Sequence, residues 1–138
     1  MTFKLYTNAN EIDQWRWSPE FEPHELACPS TGSLLLVPEF MDKLHALRMA
    51  YSRPMVITSG YRCPAYNDSL STTGRDGPHT TGRAVDVLVS GSDAHRLVGI
   101  AIHLGFKGIG LKQKGPHNKR FIHLDDLTEG PRPWVWTY

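Results

Sequence analysis

Three residues of this chain carry side chains whose chemistry combines. His79 stands in the turn-rich stretch DGPHTTG, Asp86 interrupts the apolar run RAVDVLV, and His123 lies in RFIHLD. An ionised carboxylate inside an apolar strand is costly unless it is paired or binds a cation. Two imidazole nitrogens and one carboxylate oxygen are the kind of donor set found in catalytic zinc sites that keep a fourth position for water. Taken singly, each residue has an ordinary explanation: His79 as a turn residue, His123 as a satisfied core histidine, Asp86 as an ion-pair partner of Arg83 or Arg62. His-x6-Asp alone is a loose pattern, so the set acquires meaning only if the fold brings its members together.

The elements that must do so can be read from periodicity and punctuation. Pro38 suits a first helical turn, and Phe40, Leu44, Leu47 and Tyr51 recur at helical spacing, which predicts a helix over 38–51. PMVITS, Pro54 to Ser59, reads as a strand ending at Gly60, and SGYRCPAYN as a loop entering a short helix. Residues 70–82 read as a loop before the strand RAVDVLV, on which Val85, Val87 and Val89 share one face and Ala84, Asp86 and Leu88 the other. Ser92 and Asp93 are expected to cap a helix with Ala94, Leu97, Val98, Ala101 and Ile102 on its apolar stripe and Gly105 at its end.

FKGIGL and RFIHLD then read as strands joined by KQKGPHNK. On the second, Phe121, His123 and Asp125 share a face. If it neighbours RAVDVLV, Asp86 and His123 project from one side of the sheet, and His79 can fold back over them. The expected architecture is α+β, a small and mostly antiparallel sheet with flanking helices. Residues 1–33 read as an irregular strap in which Trp15, Trp17 and Phe21 pack over the core. No repeat or linker divides the chain, so residues 1–138 are expected to form one domain.

Composition excludes some partners. Fifteen Lys and Arg against fourteen Asp and Glu give a net charge of +1, which is no electrostatic footprint for nucleic acid. The first ten residues lack the apolar core of a signal peptide, and no apolar run is long enough for a bilayer, so we expect cytoplasmic synthesis, no membrane association and a monomer. Cys28 and Cys63, 35 residues apart and each followed by proline, form no Cys-x-x-Cys pair. Two free thiols are the favoured reading, with a disulfide in an oxidising compartment left open.

SGYRCPAYN, PHTTGRAVDV, FKGIG and FIHLDD occur in an order and spacing that resemble the zinc D-alanyl-D-alanine carboxypeptidase family. That family includes vancomycin-resistance dipeptidases and phage endolysins, and it shares a fold with the Hedgehog signalling domain. The resemblance runs from about residue 21 to the end, and His-x-x-Gly-x-Ala-x-Asp with a later His-x-Asp is its specific part. ELACPSTG and the terminal aromatic segment are similar to the short single-domain branch of phages and bacteria. The resemblance implies that His79, Asp86 and His123 are Zn2+ ligands, and that Arg62 holds the substrate or stabilises oxyanion charge. The chain departs from the family at Arg120, where many relatives carry an acidic general base, and arginine cannot take a proton at neutral pH. His117 is the first substitute and Asp125 the second, although Asp125 better suits a carboxylate that orients an imidazole.

The activity so implied is zinc-dependent hydrolysis of peptidoglycan stem peptides, as a D-Ala-D-Ala carboxypeptidase or crosslink endopeptidase of endolysin type. The enzyme would reach the wall after release, consistent with a phage or prophage origin. The alternative is a zinc-containing wall-binding or virion structural module without turnover, which Arg120 keeps open. Trp134, Trp136 and Tyr138 are expected to anchor the terminus or wall the cleft, with no catalytic role.

Overall fold

The structure is a computed structural model that describes residues 2–138; Met1, the first residue of the expected strap, lies outside the described residues. In chain order the elements are β1 (Lys4–Tyr6), α1 (Pro23–Leu26), β2 (Leu34–Leu36), α2 (Pro38–Tyr51), β3 (Val56–Ser59), α3 (Pro64–Leu70), β4 (Ala84–Leu88), α4 (Gly91–His103), β5 (Gly108–Lys112), β6 (Phe121–Asp125) and β7 (Trp134–Thr137). β1 and β2 form a small antiparallel pair. The other five strands form one sheet in the order β3-β4-β6-β5-β7, antiparallel except for the parallel β5 and β7 pair. The α+β architecture is the one expected.

α2 occupies the range read from its proline and its apolar spacing. Phe40, Met41, Leu44, Leu47 and Tyr51 form its buried stripe. Its end is closed by Ser52 in the left-handed conformation, φ 61°, whose N–H returns to Arg48 O. α4 begins earlier than the cap expected at Ser92 and Asp93. Ser90 is the extended residue before its first turn, and Asp93 lies inside that turn, paired with Arg53 at 3.2 Å.

The strap is only partly irregular. It contributes β1 and α1, and it buries Trp17 and Phe21. α1 is held by a reciprocal box in which Glu22 and Glu25 exchange side-chain and backbone hydrogen bonds.

The five-stranded sheet has two unlike faces. Val85, Val87, Ile122, Leu124 and Ile109 meet Leu44, Leu47, Leu97 and Ala101 of the two long helices in one buried cluster. Each fully buried aliphatic side chain contributes about 1.5–3 kcal/mol. That face fixes register, because a slip by one residue would send His123 and Asp125 into the core and Ile122 and Leu124 out of it. The opposite face carries Asp86, His123 and Asp125, and it is where the polar residues assemble.

A candidate metal centre in a peptide-sized cleft

Asp86 and His123 are direct register partners on the central strands β4 and β6. His79 reaches them from a single 3₁₀ turn, Pro78–Thr81, that feeds β4. That turn is fastened to the loop after β3 twice: the Arg62 N–H donates to His79 O at 3.0 Å, and His79 Nδ1 lies 2.7 Å from Gly60 O. All three residues are buried, and their ligand atoms lie within 4.8 Å of one another.

The local hydrogen bonds decide which nitrogens face the centre. His79 Nδ1 donates outward to Gly60 O, which leaves Nε2 at 3.3 Å from Asp86 Oδ1. His123 Nε2 donates outward to Asp125 Oδ2 at 2.8 Å, which leaves Nδ1 at 3.2 Å from the same Asp86 oxygen. With both outer nitrogens protonated, the two inner lone pairs and a carboxylate lone pair converge. Only a cation relieves that convergence. Charge-assisted hydrogen bonds from imidazole to carboxylate run about 2.7–2.9 Å, whereas ligands about 2.0–2.1 Å from a tetrahedral zinc stand about 3.3 Å apart. The two separations from Asp86 Oδ1, 3.2 Å and 3.3 Å, match the second case, so the residues fit zinc.

Without a metal, a proton serves the same purpose. Burial pushes the Asp86 carboxyl up, but the imidazoles of His123 and His79 outweigh it and hold the group below the ordinary carboxylate range. For His123, burial favours the neutral ring, yet Asp125 and Asp86 together raise its pKa above the usual 6.5. A raised histidine pKa gives stability that is fully present below the unfolded value and lost as pH rises through the folded one. Zinc needs the deprotonated ring, so its affinity moves the opposite way. Zinc binding should therefore tighten as pH rises from about 6 to about 8 and release protons. Calorimetry in buffers of different ionisation enthalpy reads that release, and pH-independent binding without it would contradict a proton held by the metal-free site.

Asp125, the second candidate base, is fully buried behind His123 and both its oxygens are occupied. Arg132 grips it with Nε to Oδ1 and Nη2 to Oδ2, each at 2.9 Å, and Leu127 N–H adds a third donor. Burial pushes its pKa up, and His123 and Arg132 hold it below the ordinary range. It orients His123 and does not line the cleft. His117 is not in the cleft either: it is exposed on the turn His117–Lys119 with Nδ1 3.3 Å from Ser90 Oγ. Arg120 turns to Gly115 O. Neither expected proton carrier lines the cleft: His117 lies on an exposed turn, and Asp125 takes the orienting place beside His123 that was its other reading.

Arg62 does line the cleft. Its guanidinium is fixed by Ser59 Oγ at 2.8 Å and Asn67 Oδ1 at 3.1 Å, and it approaches Asp86 Oδ2 at 3.4 Å. Asn67, buried on α3, also bonds Thr73 and Gly74. It therefore ties the arginine to the loop that rims the site. Arg83, the other ion-pair partner considered for Asp86, binds Asp126 at 2.7 Å instead.

The cleft measures about 620 Å³ and runs from Arg62 and the Ser71–Thr73 loop, over the triad, to Trp134, Trp136 and Tyr138. β7 was not foreseen as a strand. Paired parallel to β5, it sets Trp136 with its ring 4.9 Å from that of His123. Two glycines of FKGIG make this possible. A Cβ on Gly108 would collide with the Asp125 carboxylate, and one on Gly110 would stand 2.7 Å from Trp136 Nε1 and 2.9 Å from His123 Cβ. Gly110→Ala should destabilise the protein by about 1–3 kcal/mol through overpacking, and should alter the near-ultraviolet circular dichroism of Trp136. Unchanged unfolding and spectrum would mean that β7 yields freely.

Cys28 and Cys63 are free thiols, with the Cys63 N–H donating to Cys28 Sγ at 3.3 Å. Burial raises the Cys28 pKa, but hydrogen bonds led by Ser30 bring it down to about 6.

The family profile described as Peptidase M15 matches residues 19–125, a span that contains Arg62, all three converging residues and Asp125. No curated protein and no solved structure matches the chain.

Proposed function

This chain belongs to the Peptidase M15 family, and from that premise we propose that it is a zinc peptidase hydrolysing bacterial peptidoglycan stem peptides at a D-alanyl bond. M15 peptidases are zinc-dependent metallopeptidases. The observation that carries the catalytic reading is the convergence of two imidazole lone pairs and one carboxylate on a point that opens into a cleft. A structural zinc is closed by four protein ligands, whereas among the described residues three protein donors converge on a point that faces the cleft. Zinc held by His79, Asp86 and His123 would lower the pKa of a water and polarise a carbonyl.

The remaining chemistry belongs to the chain. Arg62, held rigid by Ser59 and Asn67, presents its guanidinium beside Asp86, where it can pair with a peptide carboxylate or with the charge developing on the carbonyl oxygen. Trp136 and Trp134 form an apolar wall against which a short peptide can lie. Asp125 and Arg132 keep His123 in the tautomer whose Nδ1 faces the centre. The action on the wall follows release from the producing cell, in the manner of a phage endolysin.

Digestion of purified peptidoglycan followed by mass spectrometry tests this reading. Loss of one alanine per stem is the expected carboxypeptidase product, and opened crosslinks are the endopeptidase product. Intact stems after prolonged incubation with zinc-loaded protein would favour a wall-binding module without turnover.

A further inference from the structure

Hydrolysis of a peptide bond needs a proton on the departing nitrogen, because an amide anion is too basic to leave. The cleft offers few sources. His79, Asp86 and His123 direct their free lone pairs to the metal centre. Arg62 and Arg132 also line the cleft, but arginine does not give up a proton near neutral pH. Asp125 and His117 do not line it. Of the titratable side chains on the cleft wall, Tyr138 remains.

Tyr138 is placed by its neighbours. Its N–H continues the pairing beside β5 by reaching Leu111 O at 3.4 Å, and its ring lies 5.2 Å from that of Phe121, which also lines the cleft. Tyr138 is 46% exposed and lines the cleft, so it can meet a bound peptide. Resting on the stem-peptide reading above, we propose that Tyr138 is the general acid of the reaction, donating its phenolic proton to the nitrogen of the amine that leaves.

The step balances. The oxygen of a water bonds to the carbonyl carbon, the C–N bond breaks with its electron pair staying on nitrogen, and the phenol proton passes to that nitrogen. The phenolate regains a proton from solvent, equivalent to the one the attacking water gives up. The products are one carboxylic acid and one amine. Burial favours the neutral phenol and raises its pKa above 10; Trp136 and Arg62 act against the rise, while Asp86 and Asp125 add to it. The group is therefore a donor near neutral pH and not a base.

The test compares an amide with the matching ester. Wild type and Tyr138→Phe, both zinc-loaded, are given a D-alanyl-D-alanine stem peptide and the depsipeptide ending in D-lactate. A general acid contributes about 10²- to 10⁴-fold, so the variant should lose at least about 100-fold in kcat on the amide, with KM nearly unchanged. On the ester, whose alkoxide leaves more readily, it should lose less than about 10-fold. An equal loss on both substrates, or none on the amide, overturns the assignment.

Wild-type inactivity on both substrates would sink the stem-peptide reading itself, and a second arm then decides the placement of Tyr138. 3-Fluorotyrosine is installed at position 138 and its ¹⁹F resonance followed as acetohydroxamate, a small carbonyl-like chelator, is added to the zinc-loaded protein. A shift supports a phenol facing the reacting centre, and an unmoved resonance overturns it.

Discussion

Asp86→Asn should reduce zinc affinity by more than about 100-fold, while the metal-free protein loses only the pairing of this carboxylate with the His79 and His123 imidazoles and not the counter-charge of a buried guanidinium. The two parts of this result come from different physics. A hydrogen bond that merely supports a ligand is worth about 10–100-fold in affinity, and losing a ligand costs more. Were Asp86 instead the structural partner of Arg62, removing its charge would leave a buried guanidinium uncompensated, at about 3–5 kcal/mol. The geometry argues against that cost. The Arg62 to Asp86 contact is the longest of the three that hold the guanidinium, 3.4 Å against 2.8 Å and 3.1 Å. Zinc titration and urea unfolding of the same preparations separate the cases, and a large loss of stability with metal affinity intact would make Asp86 an ion-pair residue.

Asp125→Ala should behave in the reverse way, with stability falling by about 3–5 kcal/mol before any metal is added. Its carboxylate is fully buried and takes donors from His123, Leu127 and both sides of the Arg132 fork. Removing it leaves a guanidinium largely buried without its counter-charge, and an imidazole N–H without an acceptor. Against a typical total of about 5–15 kcal/mol, that is a large fraction. Asp125→Asn keeps the shape and should spare much of the stability. It offers His123 a weaker acceptor, so the ring is less firmly held with Nδ1 inward, and zinc affinity should fall about 10–100-fold. Equal zinc affinity in wild type and Asp125→Asn would remove Asp125 from the account of the site.

The sequence made the β4 and β6 pairing legible because alternation of apolar and polar residues puts Asp86 and His123 on one face, and α2 because a proline and an apolar stripe mark both start and spacing. It showed less where the decisive information lies between distant segments. Asp125 looked available as a base, since nothing local announces that Arg132 will fold back through a Gly-Pro turn and occupy both oxygens. His117 sits only six residues before His123, yet the turn at Pro116 carries it away to Ser90.

Asn67 reads as an ordinary helix residue, and its buried link from Arg62 to the cleft rim depends on how α3 packs. β7 was hidden for a related reason: a short strand at a sheet edge takes its place from a partner, here β5, whose Gly110 leaves room for Trp136. Tyr138 drew no catalytic expectation because an aromatic near a terminus is ordinarily an anchor, and its importance follows from which groups the cleft lacks.

The most direct test of the central claim, that His79, Asp86 and His123 hold the zinc that makes this chain a stem-peptide hydrolase, is the rate at which new amino groups or free alanine appear from purified peptidoglycan. The rate is measured for native protein, for chelator-treated protein and for treated protein resupplied with zinc, with His79→Ala as control. Activity is expected to disappear on chelation, to return with about one zinc per chain, and to be absent in His79→Ala at the same zinc concentration. Activity that survives chelation, or that His79→Ala retains in full, would contradict the claim.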